Sequence, residues 1–341
     1  MGVITIIKRF AIANLLTLFY SGSILLYMFV TYLKNPFKNP WASKPRLEPP
    51  ARLSDPKYGV HKYIKVNNVK LHYVENGDCS KPLMVFLHGF PEFWYSWRYQ
   101  MVEFKNDYWC VALDMRGYGD SERPEGVSSY NIQLLVDDVR DLVRQLGREK
   151  FILVSHDWGG IVASRYRDLY PETLQALVVL SSTSFEAWAD ALWNDDEQRK
   201  LSWYIFLYRM RILPELMIRM NNLEVLDKVM IVEGKTTVDN QDMECYKYWF
   251  SKQDALTPPI NYYRDSFKYD IELKRHDEDV PFLFAHGANE RYLGDKIMEN
   301  MKIIYKTIET TKVEKTGHFM QQEDPDIVNR LIRSFLQKQK L

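Results

Sequence analysis

The chain has 341 residues, 46% of them hydrophobic, enough for one large α/β domain with an insertion. Its 45 basic and 45 acidic side chains give a formal net charge of zero, so electrostatics make no case for a nucleic-acid partner. Cys79, Cys110 and Cys245 are odd in number and widely spaced, which argues against a disulfide framework and for a reducing compartment.

After a short tail (residues 1–9), residues 10–33 carry no charged side chain in 24 positions. At about 1.5 Å per residue this run is long enough to cross a ~30 Å hydrocarbon layer. It is too long for a signal-peptide core, and no Ala-x-Ala-like cleavage site follows, so a retained single-pass membrane anchor is predicted, with a lipid bilayer as its partner. Lys34, Lys38, Lys44 and Arg46 outnumber Lys8 and Arg9, which predicts a cytosolic C-terminal domain; the absence of any Asn-x-Ser/Thr sequon agrees, and the endoplasmic reticulum suits such an anchor. Residues 34–57, with Pro36, Pro40, Pro45, Pro49, Pro50 and Pro56, read as an extended tether.

From residue 58 the pattern becomes globular. Residues 63–74 alternate around Asn67-Asn68, predicting a β-hairpin. Short apolar runs at 83–87, 108–113, 151–154, 177–180 and 281–285 predict buried strands, with a helix over 130–146 between two of them. Strands alternating with helices imply a mostly parallel sheet covered by helices on both faces. Residues 183–279, rich in Trp, Tyr and Met, interrupt this rhythm and are predicted to form a helical lid, with helical spacing at 201–220 and 243–250. The core is thereby split into residues 58–182 and 280–341.

The chemistry sits at the ends of these strands. Ser155-His156-Asp157-Trp158-Gly159-Gly160 follows the 151–154 run. A strand running into a small-x-nucleophile-x-small turn and then a helix is the nucleophile elbow of the α/β-hydrolase fold, here with Asp157 in place of Ser. A carboxylate nucleophile attacks saturated carbon and forms an alkyl-enzyme ester. His88-Gly89-Phe90-Pro91 follows the 83–87 run, and the backbone N–H groups of Phe90 and Trp158 are predicted to form an oxyanion hole. His318, in Gly317-His318-Phe319 late in the chain, is the candidate base. The acid that orients it is expected after the 281–285 run, with Glu290 favoured and Asp295 the alternative.

From Gly59 onward the chain resembles the epoxide hydrolases of the α/β-hydrolase fold, and most nearly their membrane-anchored animal branch. The resemblance rests on residues 88–98 (HGFPEFWYSWR), 114–121 (DMRGYGDS) and 156–160 (HDWGG), with Gly317-His318-Phe319. It implies conversion of an epoxide to a vicinal diol without metal or organic cofactor, and an aromatic lid beside a bilayer makes a hydrophobic, lipid-derived epoxide the expected substrate. It also implies two lid tyrosines that donate hydrogen bonds to the epoxide oxygen. Asn261-Tyr262-Tyr263-Arg264 matches the family's Asn-Trp-Tyr-Arg, giving Tyr263. Residues 204–209 (YIFLYR) match the family's Tyr-x-x-x-(Phe/Tyr)-Gln, giving Tyr204 with Tyr208 as runner-up, and Arg209 replaces the Gln. Further departures are Ser155 for Gly, Glu290 for Asp, and Ser181-Ser182-Thr183 at a strand end that usually carries His or Asn-Pro. Two other readings use the same residues: a haloalkane or haloacid dehalogenase sharing the Asp nucleophile, and a catalytically degenerate binding protein on this fold.

Overall fold

The computed structural model describes residues 2–34, 36–232, 235–236, 238–267, 269, 273–274, 276 and 279–341. Among the described residues the strands are, in chain order, β1 (Val60–Val66), β2 (Val69–Asn76), β3 (Leu83–Leu87), β4 (Trp109–Leu113), β5 (Phe151–His156), β6 (Leu174–Leu180), β7 (Ile231–Val232), β8 (Lys235–Thr236), β9 (Phe282–Gly287) and β10 (Ile308–Val313). Eight form one sheet in the order β1-β2-β4-β3-β5-β6-β9-β10, while β7 and β8 make a separate small hairpin. β1–β2 and β2–β4 pair antiparallel; every pair from β4 to β10 is parallel. The chain therefore has the α/β-hydrolase fold with an inserted helical lid.

Hydrophobic patterning accounts for the sheet. β3, β4 and β5 are buried along their whole length, as central parallel strands covered on both faces must be. Asn67 and Asn68 both take positive φ, so they supply the left-handed turn that joins β1 to β2. β10 reads Ile-Glu-Thr-Thr-Lys-Val and buries only Val313. It is an edge strand recognised by its pairing with β9, and its polar sequence conceals it.

The lid contains helices Phe185–Asn194, Asp196–Leu201, Trp203–Tyr208, Leu213–Val229, Asn240–Phe250 and Thr257–Ser266. Helical spacing over 201–220 suggested one continuous stretch, but the helix stops at Tyr208 and restarts at Leu213. The second helix is broken at Met220–Leu223, where Asn221, Asn222 and Leu223 are left-handed. The break meets the Pro-rich segment: Asn221 N–H donates to Pro40 O at 2.7 Å, and Asn222 Oδ1 accepts from Lys44 N at 3.0 Å and Arg46 at 2.8 Å. Arg46 also pairs with Glu244, and Arg52 with Asp239 and Asp242, so this segment runs pinned along the lid.

The N-terminal helix spans Val3–Lys34 and is long and apolar enough to cross a membrane. One side packs on the lid helix Trp203–Tyr208, with Ala13 fully buried beside Leu192, Trp193 and Phe206.

Candidate active site

β5 ends at His156, and Trp158–Leu169 begins a helix immediately afterwards. Asp157 takes the whole change of direction with φ 48° and ψ −121°. A non-glycine residue in that region is strained, and the strain presents its carboxylate at the strand tip. Such a turn tolerates no bulk around it. A Cβ on Gly159 would strike the Leu87 carbonyl, and one on Gly89 would strike the Asp157 side chain. Ser155, which replaces Gly here, is buried and donates to Val178 O at 3.0 Å, so its hydroxyl is satisfied within the sheet. Ser182 donates to the Asp157 carbonyl, so the atypical strand end of β6 braces the elbow.

Phe90 N–H donates to Asp157 Oδ1 at 2.8 Å, while Asp157 Oδ2 lies 3.5 Å from His318 Nε2. His318 Nδ1 in turn lies 3.0 Å from both oxygens of Glu290. Glu290 Oε1 also accepts from Arg291 N (2.8 Å) and Tyr292 N (3.0 Å). The extra methylene of Glu relative to Asp is thus taken up by folding the carboxylate back onto its own loop. Asp295 sits elsewhere: its carboxylate is exposed and pairs with Lys312 at 2.6 Å.

Electrostatics set the resting charges. Burial opposes ionisation of Asp157, but the hydrogen bond and charge of His318 outweigh it and hold the carboxyl below its usual range. Burial likewise opposes charge on Glu290, and His318 overcomes it, lowering Glu290 to about 2. For His318, burial disfavours the imidazolium, but Glu290 and Asp157 together raise it well above 6.5. The imidazole of His318 is thus flanked by two carboxylates, and both favour its charged form.

A cavity of about 390 Å³ opens over this row. Tyr204, Tyr208 and Tyr263 all line it together with Asp157 and His318. Their rings form a cluster: Tyr204 lies 5.9 Å and Tyr208 5.0 Å from Tyr263, and Trp158 packs edge-on against Tyr263 at 4.9 Å. Burial, followed by the charge of Asp157, raises both Tyr204 and Tyr263 well above 10, so both phenols remain protonated donors. For Tyr208, Tyr292 and Glu215 act after burial and before Asp157. Among the described residues the hydroxyls of Tyr204, Tyr208 and Tyr263 bond to no protein group, which leaves all three facing the cavity for a bound molecule. Neighbouring contacts fix the lid over the core. Tyr262 Oη donates to Arg116 O at 2.8 Å, and Arg264 joins Tyr208 O (3.0 Å) to Glu215 (2.9 Å).

Two features escaped the reading of the sequence. Tyr292 lines the cavity and packs against His318 at 4.8 Å; its place two residues after Glu290 was the available signal. Glu92 is fully buried, accepting from His156 (2.7 Å), Gly89 N (3.1 Å), Gln321 (2.9 Å) and Gln322 (2.8 Å). His156 Nε2 then meets the His318 carbonyl at 2.8 Å. A buried charge with this many donors is fully compensated, and it ties together the loop after β3, the elbow and the segment carrying His318.

The profile of the α/β-hydrolase fold family matches residues 82–325. Human epoxide hydrolase 4 is 38% identical over 304 residues, covering 86% of this chain and 83% of that protein. Epoxide hydrolase 1 of Caenorhabditis elegans is 36% identical over 81% of this chain and 70% of its own. The crystal structure of a Bacillus megaterium epoxide hydrolase bound to an inhibitor superposes with a TM-score of 0.73 at 30% identity, covering 81% of this chain and all of that one. The chain belongs to the epoxide hydrolases of the α/β-hydrolase fold, and it is a hydrolase acting on epoxides.

Proposed function

We propose that the protein opens epoxides through an ester on Asp157. The observation that carries this reading is the Asp157 carboxylate, held by Phe90 N–H and His318 in a cavity it shares with the unbonded hydroxyls of Tyr204 and Tyr263. The two phenols hold the epoxide oxygen, Asp157 attacks a ring carbon, and one phenol protonates the leaving alkoxide. Water then attacks the ester carbonyl. His318 takes the water's proton, Glu290 stabilises the imidazolium, and the N–H groups of Phe90 and Trp158 hold the oxyanion. The intermediate collapses, its alkoxide takes the proton from His318 and leaves as the vicinal diol, and the proton of the regenerated Asp157 acid returns to the tyrosinate.

The first half-reaction prepares the second. Esterification removes the negative charge of Asp157, one of the groups that raise His318. His318 then loses its proton more readily, so the base becomes available when an ester exists to be hydrolysed.

The substrate proposed is a lipid epoxide taken up by a membrane-associated enzyme. Met217, Ile218, Val225 and Leu226 give the cavity an apolar wall, while exposed Lys200 and Arg291 line the same cavity and fit a carboxylate end. The test is diol formation from fatty-acid, aryl and small polar epoxides, with Asp157→Asn as control. Turnover that is lost in the control and greatest on fatty-acid epoxides is expected. Equal turnover in the control would overturn the mechanism, and faster turnover of small polar epoxides would overturn the substrate class.

A further inference from the structure

The N-terminal helix is docked along most of its length. Arg9 donates to Tyr269 O at 3.0 Å and to Asn194 Oδ1 at 3.3 Å. Thr17 donates to Phe206 O at 3.0 Å, and Tyr20 packs on Trp203 at 5.7 Å. Met28 belongs to the main core cluster of the catalytic domain. From Arg9 to Met28 the helix rises about 28 Å, nearly the thickness of a bilayer's ~30 Å hydrocarbon layer.

The docked and free faces are distinct. The helix positions buried against the domain are Arg9, Ala13, Thr17, Ser21 and Met28. At about 100° per residue they fall in one sector of about 120°, while Leu15, Leu18, Leu26 and Phe29 point from the opposite side and are all more than half exposed. The middle of the docked face is held by Arg209, which bonds Thr17 Oγ1 at 2.8 Å and Asn14 Oδ1 at 3.1 Å. This is the arginine that stands where the resembling family has Gln. A helix crossing the bilayer in this docked state would carry that guanidinium and the surrounding lid into hydrocarbon.

We infer that the helix lies in one leaflet instead of crossing the membrane. Its row of Leu and Phe side chains enters the acyl region, and the lid takes the place of the polar face that an interfacial helix normally turns to water. Trp203 lines the cavity and packs against Tyr20, so the lid wall of the active site is braced on the membrane-bound helix. This arrangement does not depend on the reaction catalysed.

The test uses the cysteines already present. Cys79 is exposed on the catalytic domain, while Cys110 and Cys245 are buried. In the full-length Gly2→Cys variant, embedded in sealed vesicles, an impermeant maleimide–polyethylene glycol is added outside. If both ends of the helix lie on one side, molecules carry two adducts or none, according to orientation. If the helix crosses, each molecule carries one. Vesicles opened by freeze–thaw serve as the control and give two adducts in either case. Two or none in sealed vesicles is the expected result; a single adduct overturns the inference.

Discussion

Replacing Glu290 with Gln keeps the size of the side chain and a carbonyl oxygen for Arg291 N–H and Tyr292 N–H, and removes only the charge. In the resting protein both Glu290 oxygens lie 3.0 Å from His318 Nδ1. The centres of charge are then about 4 Å apart, and at an effective dielectric of about 20 their attraction is worth about 4 kcal/mol. In the proposed mechanism this stabilisation is needed when His318 becomes an imidazolium while water attacks the ester. Its loss should slow ester hydrolysis by roughly 10²–10³-fold. Asp157 needs no base to attack the epoxide, so ester formation should change much less. Rapid-mix experiments with intact-protein mass spectrometry read both steps. The expected result is a burst of protein heavier by one substrate, followed by slow decay. A variant that forms the ester as slowly as it hydrolyses it, or turns over at the wild-type rate, would refute the assignment of Glu290 to the second step.

Tyr263→Phe and Tyr204→Phe each remove one of the proposed hydrogen bonds to the epoxide oxygen and should each slow ester formation about 10-fold or more, leaving hydrolysis of preformed ester unchanged; single-turnover kinetics separate the two. The pKa governing ester hydrolysis should lie below that of His318 in the resting enzyme, because the ester no longer carries the Asp157 charge; comparing the pH–rate profile of that step with an NMR titration of the free enzyme checks the sign. Glu290 is depressed from 4.5 to about 2, so its contribution to stability is present above pH 4.5 and lost as pH falls towards 2. The shift corresponds to about 3 kcal/mol, and acid denaturation of Glu290→Gln should be shallower than wild type over that window. Gly89→Ala places a methyl group against the Asp157 side chain and should cut turnover by about 100-fold or more while far-UV circular dichroism stays unchanged.

Much of the candidate site's geometry was legible because it is local. Asp157 is identified by the small residues that a strand–turn–helix elbow demands, and the loop of Phe90 by its place after an apolar strand. The buried strands declare themselves by unbroken apolar runs, whereas β10 does not, because an edge strand needs only a partner. Choices among similar residues were not local. Glu290 and Asp295 are both plausible by spacing, yet one is buried 3.0 Å from His318 and the other is paired to Lys312 at the surface. Likewise, Tyr204 and Tyr208 are one helical turn apart and both line the cavity.

The sequence by itself determined the sheet's buried strands, the elbow and the apolar length of the N-terminal helix, since each follows from neighbours a few residues away. Only the tertiary structure decided where the helix puts its polar side chains and what Arg209 is for. Asn14, Thr17 and Phe206 are separated by about 190 residues from the groups they meet, and packing over such a distance leaves no periodic trace in the chain. Composition reports that a helix is apolar enough for a membrane; which of its faces meets lipid depends on what the rest of the fold has already covered.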